Sequence, residues 1–184
     1  MTATEDHAAG KADGAPGKAD RAPDAGNGGP ARAGANPGEV VEAGVRRVLD
    51  LARTWLAWDG APRVAEDGER IYTPNKVIRR HADHLIDHLA EIEALLAGEQ
   101  TEPDGWHGSM ITLASDWASF TEAELNEAGQ RLRRLASSYT HRLAAAGAAE
   151  WDRPRGSHWT IREIAEHVGE PWYAEQVGDL SRPA

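Results

Sequence analysis

Residues 73–97 read TPNKVIRRHADHLIDHLAEIEALLA, and this stretch decides how the chain folds. Apolar side chains recur in it every three or four positions, which is the spacing of one face of a helix. Thr73 suits the N-cap, Pro74 suits the first turn, and Gly98 suits the position after the last turn. The stretch therefore predicts a helix with one apolar stripe, formed by Val77, Ile78, Ala82, Leu85, Leu89, Ile92 and Leu96.

Two other segments show the same helical periodicity. Residues 39–58 carry apolar side chains at helical spacing, and the sequence DGAP at residues 59–62 stops them. Residues 121–146 begin with Thr121 and Glu124, the two members of a capping box, and are followed by Gly147. We therefore expect one helix before and one helix after residues 73–97 in the sequence.

A fourth helix is predicted from Thr160 onward. Thr160 and Glu163 form a second capping box. The expected buried face is formed by Ile161, Ile164, Ala165, Val168 and Trp172. Gly169 and Pro171 are expected to kink this helix.

The pattern as a whole favours an all-α protein. No segment alternates apolar and polar residues as a half-buried strand does, and no two-residue hairpin turn is visible. Four helices of this length fit a four-helix bundle over residues 39–184. Residues 63–72 are predicted as a polar loop. The long connection over residues 99–120 is expected to lie against the bundle, with a short helical turn.

Composition excludes several other classes of protein. Residues 1–38 contain no Leu, Ile, Val, Phe, Tyr or Trp, so we predict that they form a disordered tail. A signal peptide requires an apolar core, which these residues do not contain. No apolar run is long enough to span a membrane, and we expect a cytoplasmic protein. The net charge of −10 argues against a nucleic-acid partner. With no cysteine in the chain, any metal ligand must be His, Asp or Glu.

Histidines give the chemical signal of this sequence. His84 and His88 are four residues apart, so their imidazoles stack on one helix face within reach of a single ion, and His81 lies near that face. Such a pair is also common as a surface feature or as a hydrogen-bonded part of a core. His167 leans inward on the last predicted helix, where an isolated histidine is more often a core residue than a ligand. Facing helices lie about 8–10 Å apart, so His167 can complete a site of three nitrogens. Three protein ligands plus water is the arrangement of catalytic zinc.

Two of these segments resemble a known family. Residues 156–168, GSHWTIREIAEHV, resemble the second helix of the DinB/YfiT-like superfamily, in which Trp, Ser or Thr, Arg-Glu and a metal-binding His follow one another. Residues 151–154, WDRP, are similar to the loop before that helix. Residues 83–92, DHLIDHLAEI, resemble its fourth helix, which carries HxxxH. In this chain the HxxxH helix comes first, so the sequence resembles a circularly permuted member of the superfamily.

The resemblance implies a metal-dependent function. It places the metal ligands at His84, His88 and His167, with no counterpart for His81, and implies a divalent ion, with zinc favoured over nickel or iron. Characterised relatives include thiol-dependent S-transferases and a maleylpyruvate isomerase, which use thiols such as mycothiol. An enzyme of this kind, with a small-molecule substrate, a low-molecular-weight thiol as cosubstrate and a homodimeric assembly, is therefore expected. A metal-dependent hydrolase, lyase or cyclase and a non-catalytic binding module stay open.

Several other residues have a functional and a structural interpretation. The aromatic residues either line a pocket or fill the core; these are Trp106, Trp159, Trp172 and Tyr173. Arginines on the helices either bind a carboxylate or a thiol or face solvent; these are Arg79, Arg80 and Arg162. Glu163 is interpreted as a cap, and Glu166 as a surface residue or a partner of a metal ligand. His107, His141 and His158 are expected to have no metal role, and the sequence names no general acid or base.

Overall fold

A computed structural model describes residues 35–65, 68–101 and 110–181. Most of these residues are helical, in agreement with the predicted all-α class. No helix within the described ranges is both long and apolar enough to cross a membrane. Residues 1–34 of the predicted disordered tail lie outside the described residues. Residues 35–38 of that tail are described: the Asn36 side chain donates to the carbonyl of Thr140 and accepts from the amide of Gly38, each at 2.9 Å, and Gly38 already belongs to the first helix.

The first helix, α1 (Gly38–Ala52), is shorter than predicted. The chain continues as a 3-10 helix over Arg53–Ala57, so the expected single helix over residues 39–58 changes its winding in its last turn and a half. That change turns Leu56 outward, to 41% exposure, although its place in the apolar pattern predicted burial. Trp55 stays fully buried, and its indole N–H donates to the carbonyl of Gly178 at 2.8 Å. The tighter winding therefore positions Trp55 against the C-terminal end of the described chain.

The second segment forms a helix with the predicted bounds. It is α2 (Pro74–Ala97), and the Thr73 side chain accepts a hydrogen bond from the amide of Lys76. The helix ends at Gly98, whose φ of +73° is a conformation that glycine adopts without a Cβ clash. Local capping alone explains both ends of this helix.

The third segment is also confirmed. It is α3 (Glu122–Ala146), with both hydrogen bonds of the capping box between Thr121 and Glu124. Gly147 follows it, and a single short turn, α4 (Ala148–Trp151), leads to the last part of the chain. Tyr139, near the middle of α3, donates from its hydroxyl to the carbonyl of Leu85 at 2.7 Å, which fixes α3 against α2.

The fourth predicted helix is two helices. These are α5 (Ile161–Val168), which starts with the predicted capping box at Thr160, and α6 (Trp172–Val177). The predicted kink at Gly169 and Pro171 is therefore wrong, because the chain ends one helix and starts another there. Trp172, which was expected to be buried, is 38% exposed at the start of α6.

A small hairpin interrupts the helical pattern. Strands β1 (Arg63–Val64) and β2 (Ile71–Tyr72) pair antiparallel, with Arg63 opposite Tyr72 and Val64 opposite Ile71. The predicted loop over residues 63–72 is therefore partly ordered as a sheet. Strands of two residues are too short to show alternation, so no pattern in the chain predicts them.

The long connection packs as expected where it is described. Residues 114–117 form a 3-10 helix beside the start of α2, with Asp116 buried. Its backbone carbonyl accepts a hydrogen bond of 2.6 Å from the Thr73 hydroxyl. Residues 102–109 of the connection, including Trp106 and His107, lie outside the described residues.

Helix packing places α5 in contact with both α1 and α2. Helix α1 packs on α3 and on α5, while α2 packs on α3, α5 and α6. The core follows from this arrangement, with side chains from every long helix, among them Val45, Val48, Leu85, Ile92, Leu132, Tyr139, Leu143, Ile161, Ile164 and Val168. The contact between α2 and α5 is the one that positions the histidines.

Candidate metal centre

Three histidines converge between α2 and α5. His84 and His88 come from successive turns of α2, and His167 comes from the last turn of α5. One potential ligand atom from each lies within 4.8 Å of the other two. The ring centroids are 4.6 Å apart for His84 and His88, 4.9 Å for His84 and His167, and 5.2 Å for His88 and His167. These three side chains could hold a metal ion.

The spacing fits an ion after a small adjustment. Nitrogens bound to tetrahedral zinc at about 2.0–2.1 Å lie about 3.4 Å from one another. The ligand atoms of the three histidines lie within 4.8 Å of one another, so binding of zinc requires them to approach by up to about 1.4 Å. Neutral imidazole is a ligand that zinc, nickel and iron accept.

A carboxylate orients His88. Its Nδ1 donates to Oε2 of Glu91 at 2.6 Å, and Glu91 lies one turn further along α2. This bond leaves Nε2 as the nitrogen that can face an ion. Pairing of a histidine ligand with a carboxylate through its second nitrogen is common around metals, where it raises the basicity of the ligand.

Burial keeps His84 neutral. It is 7% exposed, and its pKa lies well below the usual value, first because of burial and then because of the positive charges of its neighbours when protonated. Those neighbours are His88, His167, His81 and Arg80. A neutral imidazole has a free lone pair, so this environment favours the form that binds a cation.

Aromatic rings enclose the cluster on two sides. Trp159 approaches His167 edge-on, with centroids 4.9 Å apart, and stacks at 6.5 Å on His88. On the other side, the ring of Tyr173 lies 5.5 Å from that of His84. Both aromatic residues were predicted either to line a pocket or to fill the core, and both contact the histidines.

His81 lies outside the three-histidine cluster. It is fully buried, and neither ring nitrogen has a hydrogen-bond partner among the residues that the structure describes. Burial lowers the pKa of His81 from 6.5 to about 4. His81 is thus a buried histidine that does not belong to the group able to hold an ion, although it lies only three positions before His84.

The three arginines with alternative interpretations have different surroundings. Arg79 donates to both carboxylate oxygens of Asp116, at 2.7 and 3.2 Å. Arg162 donates to both oxygens of Asp152 at the surface, at 2.6 and 3.1 Å. Arg80 is only 1% exposed and donates to the Tyr173 hydroxyl at 3.2 Å. Of these three, Arg80 is the one whose positive charge contributes to the lowered pKa of His84.

The remaining predicted residues have mainly structural positions. Glu163 accepts from the amide of Thr160 and is the predicted cap. His141 and His158 are exposed and are not members of the three-histidine cluster, and Glu166 is partly exposed. The prediction overlooked Glu91, for which the only signal was its position three residues after His88 on the same helix.

Comparisons of this chain with known protein families, with curated proteins and with solved structures find no match. The class of site therefore rests on the geometry of the cluster, which is a three-histidine group able to hold a metal ion within a helical protein.

Proposed function

We propose that this protein is a metal-dependent enzyme that acts on a small molecule, built as a four-helix bundle of the permuted DinB-like kind. The observation that carries the proposal is the convergence of His84 and His88 of α2 with His167 of α5 on one small volume. Support for the bundle comes from the packing, in which α5 and α6 together take the place of one helix beside α1 and α2.

The residues around the cluster have distinct roles in this proposal. The three imidazoles would hold a divalent ion, for which zinc is our choice. Such an ion supplies an open position at which a thiol or a water molecule has a lowered pKa and acts as a nucleophile near neutral pH. Glu91 holds His88 in the tautomer that presents Nε2, and the indole of Trp159 keeps water away from one side of the site.

The proposed reaction is transfer or isomerisation with a low-molecular-weight thiol of the mycothiol type. This choice rests on the motif resemblance of residues 83–92 and 156–168 and is compatible with a chain that contains no cysteine of its own. We propose that the enzyme works in the cytoplasm as a homodimer, as the resemblance implies.

Metal content tests the first part of the proposal. The full chain is purified without added metal, dialysed against zinc and measured by mass spectrometry, together with His88→Ala, His167→Ala and the control His141→Ala. We expect about one zinc per chain for the wild type and the control, and a loss in the other two. Equal zinc in all four proteins would contradict the site.

Thiol conjugation tests the second part. The zinc-loaded protein is incubated with mycothiol and an aryl halide, and the thioether is quantified. We expect zinc-dependent product that His167→Ala abolishes and His141→Ala leaves unchanged. A protein that holds zinc but forms no product, and instead hydrolyses an ester or amide probe, would be a hydrolase and would contradict the thiol assignment.

A further inference from the structure

A groove of about 330 Å³ lies between α2 and α3 on the surface of the fold. Its walls come from Ile86 of α2 and from five residues of α3, namely Glu127, Gln130, Arg131, Arg134 and Leu135. Ile86 is 45% exposed, more than any other large apolar side chain of α2. The groove therefore presents an apolar surface directly beside charged side chains.

The part of α3 beside this groove, residues 127–134, is basic although the chain as a whole is acidic. It holds three arginines and one glutamate, whereas the whole chain has a net charge of −10. Glu127 pairs with Arg131, one turn away, at 3.3 Å. None of the residues one turn from Arg134 along α3 is acidic, and Arg134 has no ion pair within the described part of the chain. The Arg134 guanidinium is thus an exposed charge that a partner can reach.

The charges on this face of α3 form a pattern that complements itself. Glu127 and Arg134 are seven residues apart, so they lie on one face of the helix, two turns or about 10 Å apart. The point midway between them falls between Gln130 and Arg131. When a second α3 lies antiparallel across this point, Glu127 of each copy faces Arg134 of the other. A surface that matches its own reversed copy is what a twofold, isologous interface requires.

We infer that a second copy of this chain docks on this groove, with the two α3 helices antiparallel about an axis between Gln130 and Arg131. Each contact then occurs twice, so that two ion pairs between Glu127 and Arg134 flank the axis. Ile86 loses part of its contact with water in the same interface. The inference rests on the homodimer of the proposed function, but the surface is measurable without metal or substrate.

The electrostatics favour a second copy over an unrelated partner. Two chains that each carry a net charge of −10 repel each other at long range, so association requires a surface where opposite charges meet. An unrelated acidic partner would use the arginines alone, and the position of Glu127 opposite Arg134 would then have no role. An interface centred on one helix pair falls below the standard size of about 1,600 Å², so we expect a dimer with a dissociation constant in the micromolar range.

Reversal of the two charges tests the inference by sedimentation equilibrium of the full chain, at concentrations from about 1 to 200 μM. We expect a reversible dimer for the wild type. Glu127→Arg and Arg134→Glu each place two pairs of like charges in the interface, so each should weaken dimerisation about tenfold or more. The double variant, Glu127→Arg with Arg134→Glu, restores opposite charges and should dimerise within about threefold of the wild type.

The matched controls reverse an exposed ion pair near the end of α1. Asp50→Arg and Arg53→Glu change the net charge by the same amounts as the two test variants and should dimerise as the wild type does. A monomeric wild type, unchanged dimerisation in both single test variants, or no recovery in the double variant would overturn the inference.

A cross-link provides a second test, because the chain contains no cysteine of its own. Gln130→Cys places a thiol beside the proposed axis, and Ser138→Cys places one on the same exposed face, about 11 Å from the axis along the helix. With diamide as the oxidant, we expect Gln130→Cys to form an intermolecular disulfide. The two thiols of Ser138→Cys would lie about 22 Å apart and should stay unlinked. Equal cross-linking of the two variants would overturn the antiparallel arrangement.

The outcomes separate this inference from the proposed function. A chain that retains zinc on the three histidines but stays monomeric would contradict the interface and the proposed homodimer, and would leave the metal-dependent activity standing. A dimer that responds to the charge reversals but retains no zinc would do the opposite. A dimer that ignores the reversals would contradict this surface alone.

Discussion

Gly44 of α1 and Gly169 at the end of α5 meet backbone to backbone. A Cβ atom on Gly44 would lie 2.1 Å from the carbonyl oxygen of Gly169, and that same oxygen accepts a hydrogen bond of 2.9 Å from Arg47. A Cβ on Gly169 would in turn lie 2.9 Å from a methyl group of Val40. This close approach therefore holds α1 against the residue that follows α5, two positions after His167.

Gly44→Ala therefore tests whether α1 positions the third histidine. The added methyl group meets backbone, which cannot rotate away, so we expect a loss of about 1–3 kcal/mol in the free energy of unfolding. Displacement of the end of α5 should also weaken zinc binding. Urea unfolding measures the first effect, and competition with a chelator measures the second.

The matched control is Gly129→Ala on α3. A Cβ there would lie 3.1 Å from the end of the Arg133 side chain, which can move, and alanine favours a helix over glycine by up to about 1 kcal/mol. We expect unchanged or higher stability and unchanged zinc affinity. Equal behaviour of the two variants would show that the contact between Gly44 and Gly169 does not constrain the site.

Glu91→Gln tests the orientation of His88. The amide cannot accept as strongly from the imidazole Nδ1, so the histidine loses both a fixed tautomer and some basicity. Removing such a partner typically lowers metal affinity about tenfold to a hundredfold, and we expect a loss within this range for zinc. The measurement is chelator competition, and Glu93→Gln, which changes an exposed carboxylate of the same helix, should retain the wild-type affinity.

Acid should destabilise the protein through His81. Its pKa of about 4 in the folded chain lies below the unfolded value of 6.5, so between these values the unfolded state binds more protons. Stability is then complete above pH 6.5 and is lost as the pH falls toward 4, by about 3 kcal/mol in total for this group.

The check is the pH dependence of urea unfolding in metal-free protein, for the wild type and for His81→Leu. From pH 7 to pH 4, the free energy of unfolding of the wild type should fall by about 3 kcal/mol more than that of His81→Leu, because the variant has no imidazole to protonate at this position. His141→Ala, at an exposed histidine, should follow the wild type throughout. A pH-independent difference for His81→Leu would show that His81 is not protonated on unfolding.

Zinc should stabilise the fold, because the proposed ligands join α2 to α5. An ion that binds only the folded chain adds about 2.7 kcal/mol at a concentration a hundred times its dissociation constant. We expect thermal unfolding of the wild type to shift upward with added zinc and to return after chelation. His167→Ala should lose most of this shift, and a shift of equal size in that variant would point to zinc binding elsewhere.

The sequence predicted those elements whose ends depend on neighbouring residues. The bounds of α2 follow from Thr73, Pro74 and Gly98, and the start of α5 follows from Thr160 and Glu163, because each cap acts within one turn. The break after α5 depends on contact with α1, more than 100 residues earlier in the chain. Local patterns carry no record of that contact, so a kink was predicted where the helix ends.

In the candidate site, too, local patterns predicted some residues and not others. The spacing of His84 and His88 predicts a shared face, and the motif around His167 pointed to the third member, so their convergence was expected. Selecting Glu91 among the carboxylates of α2 required side-chain positions that periodicity does not provide. The hydrogen bond from Arg80 to Tyr173, which belongs to a different helix, is likewise invisible in a local pattern.

The four-residue register of α2 leaves little room for length variation. One residue inserted between Arg80 and His84 would rotate the preceding part of the helix by about 100° relative to the histidines. The Arg80 guanidinium would then lose its hydrogen bond to Tyr173, although every side chain would still be present in the chain. The spacing of Arg80 and His84 along α2 therefore sets which neighbours these side chains meet, whatever the residues between them.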